Sequence, residues 1–169
     1  MQALAGSINV RDAGYTGQAD LNINGGQLLS QELNLYSGTG NITVNADRIT
    51  GTVNLSGNGS QVLSQSGDLT LGNVCLSGDP TFYNNNGSIQ IGGNITVGED
   101  LAIVASGDIT SSVNFNLTTT LPTNPALNMP NITLVAGPLS TPPPPDRQAA
   151  TSGRFRARRG SATRPDQSP

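Results

Sequence analysis

The chain has 169 residues, 34% of them apolar, 4% aromatic and 11% charged, with a formal net charge of −3. That length suits one domain, and so few large apolar residues are thin for a globule with a wide core. Lysine, histidine and tryptophan are absent and Cys75 is the single cysteine, so an internal disulfide is excluded and no metal-ligating set is expected around the thiol. No stretch approaches the ~20 apolar residues of a membrane helix, and no membrane insertion is expected.

Along the chain the apolar residues fall into short groups with a period of two: Leu21-Asn22-Ile23, Leu33 with Leu35, Ile42-Thr43-Val44, Val53 with Leu55, Val74 with Leu76, Ile95-Thr96-Val97 and Leu101-Ala102-Ile103. Period two is the signature of an extended strand, not of a helix. The groups recur at a nearly constant step. Leu29, Ile49, Leu69, Ile89 and Ile109 are spaced by 20; Leu33, Val53, Val74 and Ile95 by 20, 21 and 21; Leu21, Ile42, Val62, Phe82 and Leu101 by 21, 20, 20 and 19.

Three ladders at one period predict an all-β, single-stranded parallel β-helix, a solenoid of about 20 residues per coil with three short strands per coil. A three-residue strand buries almost nothing alone. Its partners must therefore be the equivalent strands of the coils above and below, roughly 4.8 Å away. Gly-Ser-Ile at 6–8 and 87–89, Gly-Asp-Leu at 67–69, Gly-Asp-Ile at 107–109 and Gly-Asn-Ile at 40–42 and 93–95 mark the corners, where sharp bends favour glycine and asparagine.

The repeats are expected to occupy residues 1–120. A proline-rich excursion follows at 121–130, with Pro122, Pro125 and Pro130, then a terminal strand unit at 131–137 and a Pro/Arg-rich tail at 138–169. The tail has the four prolines of 142–145, which favour an extended run, and too little apolar content beyond them to order itself. Charge divides along the same line: residues 1–145 hold nine acidic side chains and two arginines, and residues 146–169 hold six arginines and two aspartates. Runs such as Arg154-Phe155-Arg156-Ala157-Arg158-Arg159 can neutralise phosphates, yet this one reads as a solvated basic end, and no nucleic-acid partner is assigned.

Candidate chemistry is sparse. Cys75, between Val74 and Leu76, should face outward and be chemically idle. Arg48, Asp68 and Asp108 share one ladder position, just before Ile49, Leu69 and Ile109, with Ser88 between the aspartates. Two strand spacings, about 9.6 Å, would separate the carboxylates, near the window of an inverting glycosidase pair. No aromatic sugar platform accompanies them, and aspartates after glycine commonly serve local hydrogen bonds. Arg48 and Asp68 are expected to form a weak surface ion pair, and no catalytic, cofactor or metal residue is assigned.

Thr50, Thr70 and Thr110 form an outward column that Gln90 interrupts, too sparse for ice binding, and the glycine-aspartate nonapeptide of calcium-binding β-rolls is missing. The Asn-x-Ser/Thr tripeptides at Asn41, Asn58, Asn86, Asn94, Asn116 and Asn131 read as structural.

The rhythm of Gly-Asp-Leu-Thr-Leu (67–71), Gly-Ser-Ile-Gln-Ile (87–91), Gly-Asn-Ile-Thr-Val (93–97), Asp-Leu-Ala-Ile-Val-Ala-Ser-Gly-Asp-Ile (100–109) and Asn-Ile-Thr-Leu-Val-Ala-Gly (131–137) resembles the repeat region of filamentous haemagglutinin-like adhesins. The resemblance covers residues 6–137. It implies a right-handed β-helix, a bacterial surface or extracellular location reached by two-partner secretion, and outer faces that meet host or matrix glycans or proteins. The signal peptide and secretion domain that open such proteins are not seen here, so the resemblance implies a piece of a longer fibre or a truncated gene. Residues 4–10 lack a polar cap, which predicts end-to-end self-association or fraying. The alternative reading is a fragment of a β-helical polysaccharide hydrolase or lyase.

Overall fold

A computed structural model describes residues 1–11, 19–120 and 129–137. They form fourteen strands and no helix: β1 (Gln2–Arg11), β2 (Leu21–Asn24), β3 (Gln27–Tyr36), β4 (Ile42–Ala46), β5 (Arg48–Gly57), β6 (Ser60–Ser64), β7 (Leu69–Leu76), β8 (Thr81–Asn84), β9 (Ile89–Ile91), β10 (Ile95–Val97), β11 (Leu101–Ala105), β12 (Ile109–Ser111), β13 (Leu117–Thr119) and β14 (Ile132–Ala136). Every pairing is parallel and joins one pass of the chain to the next. The result is the β-solenoid that the twenty-residue period predicts, about five turns of roughly 21 residues each.

Two sheets carry the pairing. One runs β1-β3-β5-β7 and then divides, β7 pairing with β9 through its first half and with β10 through its second; β12 continues from β9 and β13 from β10. The other runs β2-β4-β6-β8-β11-β14. Three separate short strands per coil therefore appear only in the last two passes. In the first four, two of them merge into one strand of eight to ten residues, bent by register shifts rather than broken. Between β3 and β5 the shift is a bulge: Ser30 and Gln31 together oppose Gly51, which turns the strand without ending its ladder. Gly92 and Gly93, between β9 and β10, make the clean break instead.

The interior is a set of aliphatic files. Leu33, Leu35, Val53, Val62, Leu69, Leu71, Phe82, Ile89, Ile95 and Ile103 are each 0% exposed, and each such side chain contributes about 1.5–3 kcal/mol on burial, offset largely by chain entropy. The middle residues of the short strands, Asn22, Thr43, Thr70 and Thr96, lie on the outer surface.

The stacking partners differ from the expected ladders in four places. Leu28, not Leu29, stands in register with Ile49 and is buried. Val53 opposes Leu71 rather than Val74, which pairs with Leu55. Ile42 opposes Ser60, so that Val62 stacks on Val44, and Phe82 stacks on Ile103 rather than Leu101. The last two are slips by an even or bulge-compensated number of residues, which leave every side chain on its expected face. Corner length decides them. From Tyr36 to Ile42 the chain takes six steps, while from Ser56, the partner of Tyr36, to Ser60, the partner of Ile42, it takes four.

β14 pairs with β11 across the excursion, Leu101 opposite Ile132 and Ile103 opposite Leu134. Residues 121–128 and the tail from 138 lie outside the described residues. Ile132 and Leu134 continue the interior files but are 42% and 48% exposed, because no further strand of the described residues covers them.

Candidate functional site: an asparagine file and the groove beside it

Six asparagines occupy one equivalent position, one residue before Val10, Leu35, Leu55, Val74, Ile95 and Leu117, which are in mutual register. Asn34 Nδ2 donates to Asn9 Oδ1 (3.0 Å) and Asn54 Nδ2 to Asn34 Oδ1 (2.8 Å). The backbone N–H groups of Asn73, Asn94 and Asn116 then donate to Oδ1 of Asn54, Asn73 and Asn94, at 2.8, 3.2 and 3.0 Å. The file spans all six passes, and in every step the later residue donates to the earlier one. Each bond is worth about 0.5–1.5 kcal/mol net. Asn54→Ala removes one bond on each side and should cost about 1–2 kcal/mol in urea unfolding, whereas Asn22→Ala, at an exposed site with no bond to a described residue, should change stability by less than about 0.5 kcal/mol.

Beside the file runs an outward column in which Tyr36, Ser56, Cys75 and Thr96 are successive register partners. Together with Asn34, Asn54, Asn73 and Asn94 these residues line an open groove of about 450 Å³, whose floor is Leu55 and Val74. None of the lining residues is charged. Nδ2 of Asn73 and of Asn94 is left facing outward with no bond to a described residue. Cys75 lies in this groove as an exposed free thiol, on the face its neighbours predict. A smaller concavity of about 280 Å³ lies on the other sheet, across Asn22, Asn24, Thr43, Asn45, Gln61 and Leu63. On the same sheet Tyr83 occupies an outward position yet is only 6% exposed; its hydroxyl donates to Asn85 Oδ1 at 3.2 Å, and burial raises its pKa above the usual tyrosine value.

Arg48, Asp68 and Asp108 do lie along one corner of the rod and are all exposed. Their polar groups serve the corner itself. Asp68 Oδ1 accepts the backbone N–H of Ser88 at 2.9 Å, and Ser88 Oγ accepts the backbone N–H of Asp108 at 3.1 Å. The expected ion pair between Arg48 and Asp68 is not formed, and no other ion pair is seen among the described residues. The guanidinium lies over Gly67 instead, its Nε 3.6 Å from where a β-carbon would stand. The threonine column is also displaced: Thr52 rather than Thr50 opposes Thr70, with Gln90 and Thr110 following, while Thr50 accepts the Ser30 N–H at 3.3 Å.

The asparagine file is a surface feature that the apolar ladders alone do not reveal. Its signal was present as Asn34, Asn54, Asn73, Asn94 and Asn116, spaced by 20, 19, 21 and 22. No family model, curated protein or solved structure matches the chain.

Proposed function

We propose that the chain is a rigid β-helical segment of a bacterial secreted or surface-exposed, filamentous haemagglutinin-like protein, acting as a spacer and binding rod. The observation that carries this reading is the unbroken run of parallel pairing along both sheets, accompanied on the outside by a polar file of the same length. Such a column holds outer side chains at regular spacing and passes load from coil to coil. The groove lined by Asn34, Tyr36, Asn54, Ser56, Asn73, Cys75, Asn94 and Thr96 is the surface that would meet host or matrix glycans or proteins.

An antibody raised against the chain should label intact, unpermeabilised cells of the source bacterium or filaments shed from them. Labelling that appears only after lysis would refute the surface reading. Turnover of a polysaccharide by the purified chain, abolished by Asp68→Ala or Asp108→Ala, would replace it with the β-helical hydrolase or lyase.

A further inference from the structure

We infer that the two ends of the solenoid are complementary docking surfaces for a second copy of this chain, joined head to tail. The inference uses the geometry of the ends and not the cellular location proposed above, so the two can fail separately.

Three features at the ends converge. The first is the direction of the asparagine file. Because each later asparagine donates to Oδ1 of the earlier one, the file ends in an acceptor, Asn116 Oδ1, at one extremity and in the Asn9 amide donor at the other. A second copy placed end on, with Asn9 following Asn116, continues the chain of bonds. Pairing like ends by a two-fold axis is symmetric and cannot continue this one-way order of donation.

The second feature is the interior. β14 and β2 are the two terminal strands of one sheet, and β14 leaves Ile132 and Leu134 with no described residue stacked on their outer side. In a head-to-tail pair these side chains meet Leu21 and Ile23 of the next copy, in the same register by which Leu21 and Ile23 stack on Ile42 and Val44 within the chain. The third feature is charge. Strands β12, β13 and β14 carry no charged side chain, and β1 carries only Arg11 at its end. Charged residues are a usual means of keeping edge strands from pairing with other copies; among the described residues the edges are open and these strands nearly free of charge.

A head-to-tail contact does not close on itself, so association should proceed past the dimer into linear assemblies. The test is sedimentation velocity and negative-stain microscopy of the full chain over a wide concentration range. Mass that rises with concentration without stopping at two copies, and rods in the images, are expected. Two substitutions read the polarity. Asn9→Asp keeps the Oδ1 that Asn34 donates to but sets a carboxylate against Asn116 Oδ1; it should weaken association about tenfold or more, the equivalent of one lost hydrogen bond. Asn116→Asp keeps the backbone N–H to Asn94 and keeps an acceptor toward the next copy, so association should be undiminished. Both preserve the bonds within the chain, and circular dichroism should find both folded. A monomer at every concentration, as would follow if residues 121–128 or 138–169 of the same chain covered an end, overturns the inference. So does a dimer that grows no further, or an equal effect of the two aspartates.

Discussion

Replacing Phe82 by alanine should destabilise the rod by about 3–5 kcal/mol, the range for emptying a buried aromatic site. Phe82 is 0% exposed and is the largest of the fully buried side chains, stacked between Val62 and Ile103. In a globule, neighbouring elements can move in to fill part of such a hole. In a solenoid each coil touches only the one above and the one below, and both are held in place by parallel ladders, so collapse is limited and the cost should fall at the upper end. Unfolding should also lose cooperativity. With the fourth pass weakened, the β1–β6 portion and the β9–β14 portion are coupled less strongly, and the urea transition should broaden, with a lower m-value than the parent. Leu63→Ala, at a half-buried outward position one residue from Val62, is the control and should cost well under half as much. A sharp, parent-like transition for Phe82→Ala would contradict nearest-neighbour stacking.

Gly51→Ala should be the next most damaging change, at about 2–5 kcal/mol from backbone strain and steric overlap together. Gly51 has φ of 87°, a region that residues with a β-carbon avoid, and it is the single residue facing the Ser30–Gln31 bulge. A β-carbon there would fall against the carbonyl oxygen of Ser30 and lie 2.6 Å from that of Gln31. Both are backbone atoms of the preceding coil and cannot rotate away. Gly25, with φ of 78° and nothing within 4 Å of an added β-carbon, separates the two contributions: Gly25→Ala bears the backbone strain alone and should cost about 1–2 kcal/mol. Chemical denaturation of the pair measures the difference. Equal costs would mean that the bulge yields and is not the fixed bend described above.

The inward set of residues was legible because an apolar file along a solenoid requires a period-two pattern at a constant step, and Ile42, Val44, Ile95 and Val97 display both. Which of them stack was not. Sliding a strand by two residues exchanges one inward side chain for another, so Leu101 and Ile103 are equivalent candidates above Phe82 until the corner lengths are counted. The adjacent pair Leu28-Leu29 presents the same ambiguity at one residue. The two-residue link between β5 and β6 shortens that pass to 18 residues, so that Thr52 and not Thr50 stands opposite Thr70, a change that no hydrophobic pattern records. Asparagines were readable as corner residues at Gly-Asn-Ile, and that reading hid their second role: Asn94 caps a corner and also links Asn73 to Asn116. At the Arg48–Asp68 corner the aspartate accepts from the backbone, a stronger and better-aligned claim on its oxygens than a flexible surface guanidinium.

The short link between β5 and β6 has a wider meaning when the corresponding links are compared along the rod. On that edge the connections between strands occupy residues 12–20, 37–41, 58–59, 77–80, 98–100 and 120–131, from two residues to twelve; on the opposite edge they occupy 25–26, 47, 65–68, 85–88 and 106–108, never more than four. The widest change in length thus falls on a single seam, with the two longest segments at its two extremities. Foreign peptides grafted between Asn58 and Gly59 would extend from that seam and leave the stacked faces untouched, which makes it the natural place for this architecture to gain new recognition without being rebuilt.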